Sequence, residues 1–301
     1  MIDNRKISII IVNFNTAKYV LDCLFSIYNS NFPKEDLEVI VVDNASKEEL
    51  RIKNYELRIK LIKNKQNVGF AVANNQGIKQ AKGEYILLLN PDTLVEKETL
   101  TTMIDFMEKN SRVGVTTCRI NLSNGELDDA CHRGFPTPWR AFCQLSGLSA
   151  LFPDSLLLNG YHLGYKDLDK IHEIEAVAGA FMLIRRKVGE EVGWLDEDYF
   201  WYGEDLDFCY RVKQKGWKVM FVPTVKILHY KGVSGGIKTH SKDISTADED
   251  TRKLATRTRF EVMKIFYKKH YQKIYPKSMT WFVLGGIRIK EYISLLRLRL
   301  I

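Results

Sequence analysis

An acidic residue and a histidine in this sequence stand where they could bind a metal ion. Asp92 follows the apolar run 85–89, within the sequence Asn90-Pro91-Asp92. One carboxylate at the end of a buried strand can anchor Mg²⁺ or Mn²⁺, because these ions take other ligands from substrate phosphates and water. His229 follows another apolar stretch and could add an imidazole. The residues alone leave two alternatives open, a turn or helix-capping role for Asp92 and a structural role for His229.

Two adjacent carboxylates, Glu204 and Asp205, lie in the aromatic-rich sequence YFWYGEDLDFCYR. Apolar rings around an acid raise its pKa toward the working pH, which suits a general base. The same acids would also favour the first turn of a helix, because the positive end of the helix dipole lies there. Both interpretations remain open at this point.

Polar residues that could contact a nucleotide follow the first two apolar runs of the chain. Asn13 and Asn15 come after residues 7–12, and Asp43 comes after residues 37–42. An acid at the end of a strand often accepts hydrogen bonds from a nucleoside. Asp43 could instead cap the turn that continues with Asn44 and Ser46.

A glycine ahead of a predicted helix could bring backbone close to a phosphate. Gly69 lies in Asn67-Val68-Gly69, and the helix that follows carries Asn74. Glycine permits close approach to a ligand, and the N-terminus of a helix favours anions. The chain contains neither GxGxxG nor GxxxxGK(S/T), so the sequence supports neither a dinucleotide-binding fold nor a P-loop ATPase.

The elements that must position these residues alternate between strands and helices. The spacing of apolar residues predicts strands at 7–12, 37–42, 59–62, 85–89 and 113–117. Between them it predicts helices at 16–29 and 100–107, and a loop followed by a helix over 67–82. This alternation indicates an α/β fold with a doubly wound, mostly parallel sheet flanked by helices. Such sheets bind ligands at the carboxyl ends of their strands, where the polar sequences above lie.

The second half of the chain has a weaker pattern. Residues 120–175 are predicted to be irregular, and Trp139, Tyr161 and His162 in this region could stack on sugars or simply pack under a loop. A buried segment at 176–184, a helix to about 215 and a strand at 218–222 follow. Residues 232–250 read as a flexible loop that could close over a ligand, and a basic helix begins at 251.

Composition and charge restrict the class of protein. The chain has 301 residues, 45% of them hydrophobic, and five cysteines without a CxxC pair, so we expect a globular protein with reduced thiols. No apolar run approaches the ~18 residues of a membrane span. We therefore expect a cytoplasmic location.

Positive charge is concentrated at the end of the sequence. Of the net charge of +8, residues 251–301 contribute 13 basic and two acidic residues. A basic segment with interspersed apolar residues can lie on an anionic membrane surface, or it can pack on the catalytic domain or on a homodimer partner. We expect no nucleic-acid binding, because no recognition motif accompanies the charge.

Six segments in a fixed order carry a resemblance to a known family: SIIIVNFNT, VVDNAS, NVGFAVANNQGIKQAKGEYILLLNPDT, AGAFMLIRR, GWLDEDYFWYGEDLDFCYR and HYKGVS. Over roughly residues 5–235 the chain resembles a family 2 glycosyltransferase with a GT-A fold. It is especially similar to the rhamnosyltransferase-like branch that builds bacterial cell-surface polysaccharides. The resemblance implies a GT-A domain over 1–250, with a nucleotide-binding half to about 118 and an acceptor-binding half over 119–250. A basic helical extension would then occupy 251–301.

The resemblance also implies a reaction, an inverting transfer of a sugar from a nucleotide diphosphate to an acceptor hydroxyl. It assigns Asp205 as the base that deprotonates the acceptor, with Glu204 in support. Asp92 would hold Mn²⁺ or Mg²⁺ together with His229. The nucleotide sugar would be bound by Asn13, Asn15, Asp43, Asn67, Gly69, Asn74, Asn90 and Asp92.

One position departs from the family pattern. Asn90 stands where the metal-binding DxD motif of the family has its first acid, which lowers the negative charge at the metal by one. The resemblance favours dTDP-L-rhamnose as the donor and a saccharide or lipid-linked saccharide as the acceptor, at the inner face of the cell membrane. A UDP-hexose donor and a non-catalytic nucleotide-sugar binding protein are the alternatives. A nucleotidyltransferase would need a glycine-rich basic loop, which NFNTAKY lacks.

Overall fold

The first half of the chain forms four parallel strands, as the sequence predicts. The computed structural model describes residues 6–52, 59–236 and 244–299. The strands in this half are β1 (Ile7–Asn13), β2 (Leu37–Asp43), β3 (Ile59–Lys63) and β4 (Tyr85–Leu89). They lie side by side in the order β3-β2-β1-β4, with Asn13 paired to Asp43 at the carboxyl ends of β1 and β2.

Burial explains why β1 and β2 consist of uninterrupted apolar residues. Every residue of both strands is buried. The crossover helices α1 (Ala17–Tyr28) and α2 (Phe70–Gln80) pack on this part of the sheet. A parallel strand covered on both faces has no solvent side and therefore no alternating pattern.

The second half of the sheet is mixed. It contains β5 (Thr93–Val95), β6 (Val113–Leu122), β7 (His172–Ile174), β8 (Phe181–Arg185) and β9 (Lys218–His229). The order continues from β4 as β8-β6-β9-β5, and β7 also pairs with β9. β8 runs antiparallel to both β4 and β6, whereas β6 and β9 are parallel. An antiparallel neighbour needs no crossover helix, which explains why the predicted alternation stops here.

Two strands differ from their predicted bounds in ways that affect the site. Thr93–Val95 forms β5 rather than the start of a helix, so Asp92 does not cap one; α3 begins only at Thr99. β9 continues past Pro223 to His229, because the register with β6 shifts at this point and pairing resumes at Lys226. Proline cannot donate a ladder hydrogen bond, so a strand can contain it only at such an irregularity.

The region predicted to be irregular contains two short helices. α4 spans Pro138–Leu145 and α5 spans Leu148–Leu151. The Thr137 hydroxyl accepts a hydrogen bond from the backbone N–H of Arg140 and so caps α4, and the proline at the first helical position also favours the helix start. Residues 152–171 between α5 and β7 have no regular element.

The chain ends in helices that pack on the sheet domain. After α6 (Arg186–Val192) and α7 (Glu204–Gln214) come α8 (Glu249–Phe266), a π-helical turn (Tyr267–Tyr271) and α9 (Lys277–Arg299). The buried α8 side chains Val262 and Phe266 join the main core, and α9 packs on α8. The domain boundary predicted at residue 250 stays a prediction. Among the described residues, every helix is too short or too polar to cross a membrane. Part of the predicted 232–250 loop, 237–243, lies outside the described residues.

Candidate active site

A cleft of about 240 Å³ opens at the carboxyl ends of the parallel strands. Asp92 at the end of β4 and Asp205 at the start of α7 both line it. The other predicted site residues on its wall are Asn67, Gly69, Asn90, Glu204 and His229. The structure therefore brings the predicted metal-binding acid and the predicted base to one cleft, although they are far apart in the sequence.

His229 lies between two carboxylates, Asp92 and Asp128, on the cleft wall. We call this cluster the Asp92 end. Its Nε2 atom is 3.3 Å from Asp92 Oδ1, and its Nδ1 atom is 2.9 Å from Asp128 Oδ2. All three side chains are buried. The antiparallel pairing of Thr93 with His229 brings the two chain segments together. Asn90 Nδ2 approaches His229 Nε2 to 3.4 Å.

The charges around His229 favour its protonated form. Burial alone would lower its pKa, but Asp92 and Asp128 raise the pKa of His229 to about 9. Burial conversely opposes ionisation of Asp128, and its partners His229 and Lys231 hold the pKa of Asp128 well below its usual range. Lys231 forms an ion pair with the second oxygen of Asp128. Within the described residues, no three His, Cys, Asp or Glu side chains are arranged as a preformed metal site.

Asp205 is fixed by three hydrogen-bond donors in a second cluster on the cleft wall, which we call the Asp205 end. Its Oδ2 atom accepts from Arg133 Nη2 at 2.7 Å and from the Gly179 backbone N–H at 3.1 Å. Its Oδ1 atom accepts from the Leu206 backbone N–H at 2.7 Å. The Arg133 guanidinium also donates to the Val177 carbonyl at 3.0 Å. This arrangement holds the carboxylate in one orientation against the cleft.

Glu204 is the less satisfied member of the pair. Its side chain is buried, and its Oε2 atom has no hydrogen-bond partner. Burial and the neighbouring Asp205 carboxylate raise the pKa of Glu204 well above its ordinary value. A buried, unpartnered carboxyl on a cleft wall is free to interact with a ligand.

Four of the residues predicted to bind the nucleotide do not line the cleft. Three of them, Asn13, Asn15 and Asp43, instead hydrogen-bond neighbouring loops. Asn13 donates to Asp43 Oδ1 at 2.7 Å and to Ser46 Oγ at 3.0 Å. Asn15 adopts a positive φ of 57°, and its side-chain oxygen accepts from the backbone of Lys47. The fourth, Asn74, is buried within α2, where it donates to the Phe70 carbonyl at 2.9 Å.

Asn67 and Gly69 lie in a loop on the cleft wall that hydrogen bonds hold in place. Asn67 Oδ1 accepts from Asn44 Nδ2 at 2.7 Å and from the Gly69 backbone N–H at 3.0 Å. Gly69 has a φ of 87°, and a Cβ atom there would lie 2.8 Å from Phe200. Glycine is therefore required for both the conformation and the close packing.

The aromatic wall of the cleft differs from the one expected. Trp139, Tyr161 and His162 do not line it. The aromatic side chains on its wall are Phe14, Phe70, Phe200, Trp201 and Tyr202. The rings of Trp201 and Tyr202 are stacked with centroids 5.8 Å apart, so this wall presents flat apolar faces to a ligand.

Comparison with known proteins identifies the family. A model described as glycosyl transferase family 2 matches residues 8–193, which is more than half of the chain. The chain belongs to glycosyltransferase family 2. A second model, described as glycosyl transferase family group 2, matches residues 161–252.

Three similar proteins of known name are sugar transferases. The low-salt glycan biosynthesis hexosyltransferase Agl10 of Haloferax volcanii is 27% identical over 231 residues, which cover 75% of this chain and 68% of the relative. Rhamnosyltransferase WbbL of Escherichia coli is 29% identical over 169 residues, which cover 54% of this chain and 61% of the relative. An N-acetylglucosaminyl-diphospho-decaprenol L-rhamnosyltransferase of Mycobacterium tuberculosis is 25% identical over 66% of this chain and 68% of its own length.

Solved structures show that this family 2 protein has the GT-A fold. Residues 1–349 of Staphylococcus aureus TarS match with a TM-score of 0.54 and 16% identity, over 97% of this chain and 73% of that chain. The mannosyltransferase PcManGT of Pyrobaculum calidifontis, solved with GDP-Man and Mn²⁺, matches with a TM-score of 0.55 and 16% identity, over 97% and 87%. At such identities the likeness shows the fold and nothing finer.

Three site residues of this glycosyltransferase were not found by sequence reasoning. Arg133 and Asp128 lie in the region without a clear period, and Lys231 follows His229 in the HYKGVS segment. The only available signals were single charged residues beside apolar or glycine-rich sequence. Such signals are too common to select a residue without its partner in space.

Proposed function

We propose that the protein is an inverting glycosyltransferase of cell-surface polysaccharide synthesis, with dTDP-L-rhamnose as its leading donor. One observation carries the proposal: Asp92 with His229, and Asp205, line the same cleft. The similarity to two rhamnosyltransferases supports the choice of donor. A saccharide or lipid-linked saccharide would be the acceptor.

The Asp92 end suits the departing nucleoside diphosphate. Lys231 supplies positive charge there. Elsewhere on the cleft wall, Gly69 lies at the N-terminus of α2, which also favours anions.

The same end has donor atoms that fit Mn²⁺ or Mg²⁺: Asp92 Oδ1, and His229 Nε2 after the imidazole releases the proton that the two carboxylates favour. Asp128 on the other ring nitrogen resembles the outer-sphere carboxylate that orients a ligating histidine. A bound ion would neutralise charge that develops on the diphosphate.

The Asp205 end suits the acceptor. Asp205 Oδ1 accepts only the Leu206 N–H among the described contacts, so it has capacity to take the proton of an acceptor hydroxyl. Arg133 and Gly179 hold the other oxygen and fix the direction of transfer. With one base opposite the leaving group, a single displacement inverts the anomeric centre. Glu204 in its protonated form would donate a hydrogen bond to a sugar hydroxyl.

Asp205→Asn tests the proposed base. We expect turnover to fall by about 10²–10⁴-fold, the typical contribution of general-base catalysis, while donor binding measured by calorimetry is retained. Asp169→Asn is the matched control, because Asp169 is 88% exposed and lies outside the cleft. A wild-type protein that binds nucleotide sugars but transfers none would support the non-catalytic alternative and overturn the proposed reaction.

A UDP-hexose is the second candidate donor. A poly(ribitol-phosphate) beta-glucosyltransferase of Bacillus spizizenii is 26% identical over 91% of this chain, although the match covers only 42% of that relative. A thermal-shift panel of dTDP-rhamnose and UDP-hexoses, with and without Mn²⁺, distinguishes the two. The donor that raises Tm most should also be the one consumed in the presence of an acceptor.

We also propose that the enzyme works at the inner face of the membrane, with α9 on an anionic bilayer. Trp281, Phe282, Ile289 and Tyr292 are between 64% and 82% exposed, and Arg288 and Lys290 lie among them. Basic helices with exposed aromatic residues bind such surfaces. Replacing Trp281 and Phe282 with Ser should reduce flotation with anionic vesicles. Equal recovery would contradict membrane binding by α9, and an accompanying change in mass by light scattering would favour a homodimer.

A further inference from the structure

A second exposed apolar surface lies outside the C-terminal helices. It comprises the large side chains of residues 139–157 that point to solvent, and we call it the α4–α5 patch. Its members are between 48% and 72% exposed: Trp139, Phe142, Leu145, Leu151, Phe152, Leu156 and Leu157. Single exposed apolar residues are common, but seven within 19 residues mark an interaction site.

The α4–α5 patch is held in shape by contacts of its own. The Trp139 indole N–H donates to the Leu157 carbonyl at 3.0 Å, which ties the start of α4 to the end of the patch. The rings of Trp139 and Phe142 lie 5.8 Å apart. Asn159 Nδ2 donates to the Pro153 carbonyl at 2.6 Å. These contacts expose the apolar side chains on an ordered segment.

The patch is nearly free of charge. Between residues 136 and 160, Arg140 and Asp154 are the only charged residues in the sequence. Arg140 is bound to Glu175 through both of its terminal nitrogens, at the foot of the patch. Asp154 is exposed between Phe152 and Leu156, so it must stay at the level of the headgroups while the apolar side chains around it leave water.

Aromatic contacts connect this segment to the basic C-terminal helices. Phe135, just ahead of α4, packs on Tyr210 with ring centroids 5.0 Å apart. Tyr210 in turn contacts Tyr271 at 6.0 Å, in the π-helical turn before α9. The exposed Ile274 follows that turn, together with Lys273 and Lys277.

We infer that the α4–α5 patch docks on an anionic phospholipid bilayer. The adjacent segment 251–301 carries 13 basic residues against two acidic ones, which complements anionic headgroups. A second copy of the chain would bring the same positive charge to the same place, so the charge disfavours self-association. An apolar surface beside basic residues is the arrangement that binds membrane interfaces.

This docking would place the acceptor end of the cleft beside the membrane. Arg133, which contacts Asp205, is separated from Trp139 by only five residues. An acceptor carried on a lipid could then reach Asp205 without leaving the bilayer. The inference relies on the proposed function for this last consequence only, since membrane docking needs no turnover.

The test uses the full chain and flotation with vesicles of phosphatidylglycerol and phosphatidylcholine. The patch variant replaces Leu151, Phe152, Leu156 and Leu157 with Ser. The control variant replaces Phe25 and Leu61, which are 59% and 37% exposed on α1 and β3, far from α4 in the sequence. We expect the patch variant to bind vesicles at least tenfold more weakly, and the control to bind like the wild type.

Two outcomes would overturn the inference, and a third measurement separates it from the proposed function. Unchanged flotation of the patch variant overturns it. A dimeric wild type and a monomeric patch variant, measured by light scattering without vesicles, also overturn it in favour of a second copy. Donor consumption with a water-soluble acceptor separates this test from the test of function: it should be unchanged in the patch variant, and its absence from the wild type would contradict the proposed reaction while leaving docking intact.

Discussion

The two ends of the cleft use buried charge differently. At the Asp92 end, His229 and Lys231 share the carboxylate Asp128, so the positive groups are held but remain directed into the cleft. At the Asp205 end, one guanidinium and two backbone N–H groups orient a carboxylate, and a second carboxyl, Glu204, lacks a partner for one oxygen. The first end is arranged to receive negative charge, and the second to receive a proton.

Removal of Arg133 should have the largest effect, because it leaves Asp205 buried without its counter-ion. The two side chains are only 11% and 12% exposed. Arg133→Met should lower the free energy of unfolding by about 3–5 kcal/mol, the usual cost of breaking a buried pair. Urea denaturation measures it. Arg51→Met is the control, since Arg51 and its partner Glu49 are 86% and 60% exposed, and no measurable change is expected there. If Arg133→Met lowers the free energy of unfolding no more than the control does, the Asp205 end needs no charge compensation.

Asp128→Asn tests whether the Asp92 end depends on an outer carboxylate. The loss of a partner that orients a ligating histidine typically costs about 10–100-fold in activity or metal affinity. We expect kcat/KM to fall within this range and the Mn²⁺ concentration for half activity to rise. The pKa of His229, followed by NMR, should move down from about 9, because one of its two anionic partners is gone.

A matched acid lies next to Asp128 in the sequence. Asp129 is exposed, so Asp129→Asn changes the same charge without touching His229. A similar fall in kcat/KM in both variants would indicate that Asp128 acts through overall charge rather than through the imidazole.

Glu204→Gln should remove a pH-dependent loss of stability at the Asp205 end. Burial and Asp205 raise the pKa of Glu204 in the folded protein above its ordinary value of 4.5, so the folded state binds more protons than the unfolded state. Stability is therefore lost as the pH rises above 4.5. Glutamine cannot ionise, so the variant should gain about 1–2 kcal/mol relative to the wild type between pH 4.5 and pH 8.

Unfolding curves at several pH values measure this effect. Asp205→Asn should reduce it, because the charge next to Glu204 disappears. A wild type and a Glu204→Gln variant with parallel stability curves over this pH range would contradict the raised pKa.

The donor side of the fold could be predicted because its signals are local. Each of β1, β2 and β4 is a short apolar run that ends in polar residues, and a parallel sheet brings those ends to one edge. The shared cleft of Asp92 and Asp205 follows from the resemblance, whereas the order of the strands was not predicted. Asn13 and Asp43 bond to each other at their strand ends, and their contact with a nucleotide stays a prediction.

The acceptor side depends on contacts that no local pattern specifies. Arg133 meets Asp205 across 72 residues of sequence, and Asp128 meets His229 across 101 residues. The predicted end of β9 at 222 was wrong. Proline normally ends a strand, but here Pro223 lies where the register between β9 and β6 shifts, so the strand continues. The shift becomes visible only when both strands are placed, and His229 reaches the cleft because β9 continues.

Lys231→Met should give the smallest effect. It distinguishes two roles for Lys231: binding the donor diphosphate and positioning His229 through Asp128. Lys231 is within the cleft wall and paired with Asp128, which also binds His229. If the lysine binds the donor diphosphate, its loss should weaken donor binding roughly fivefold, equivalent to about 1 kcal/mol. KM should rise and kcat should change little, since the contact exists before and during transfer. Lys231→Arg should restore most of the affinity. A fall in kcat at unchanged KM would instead show that Lys231 acts by tuning the Asp128–His229 pair.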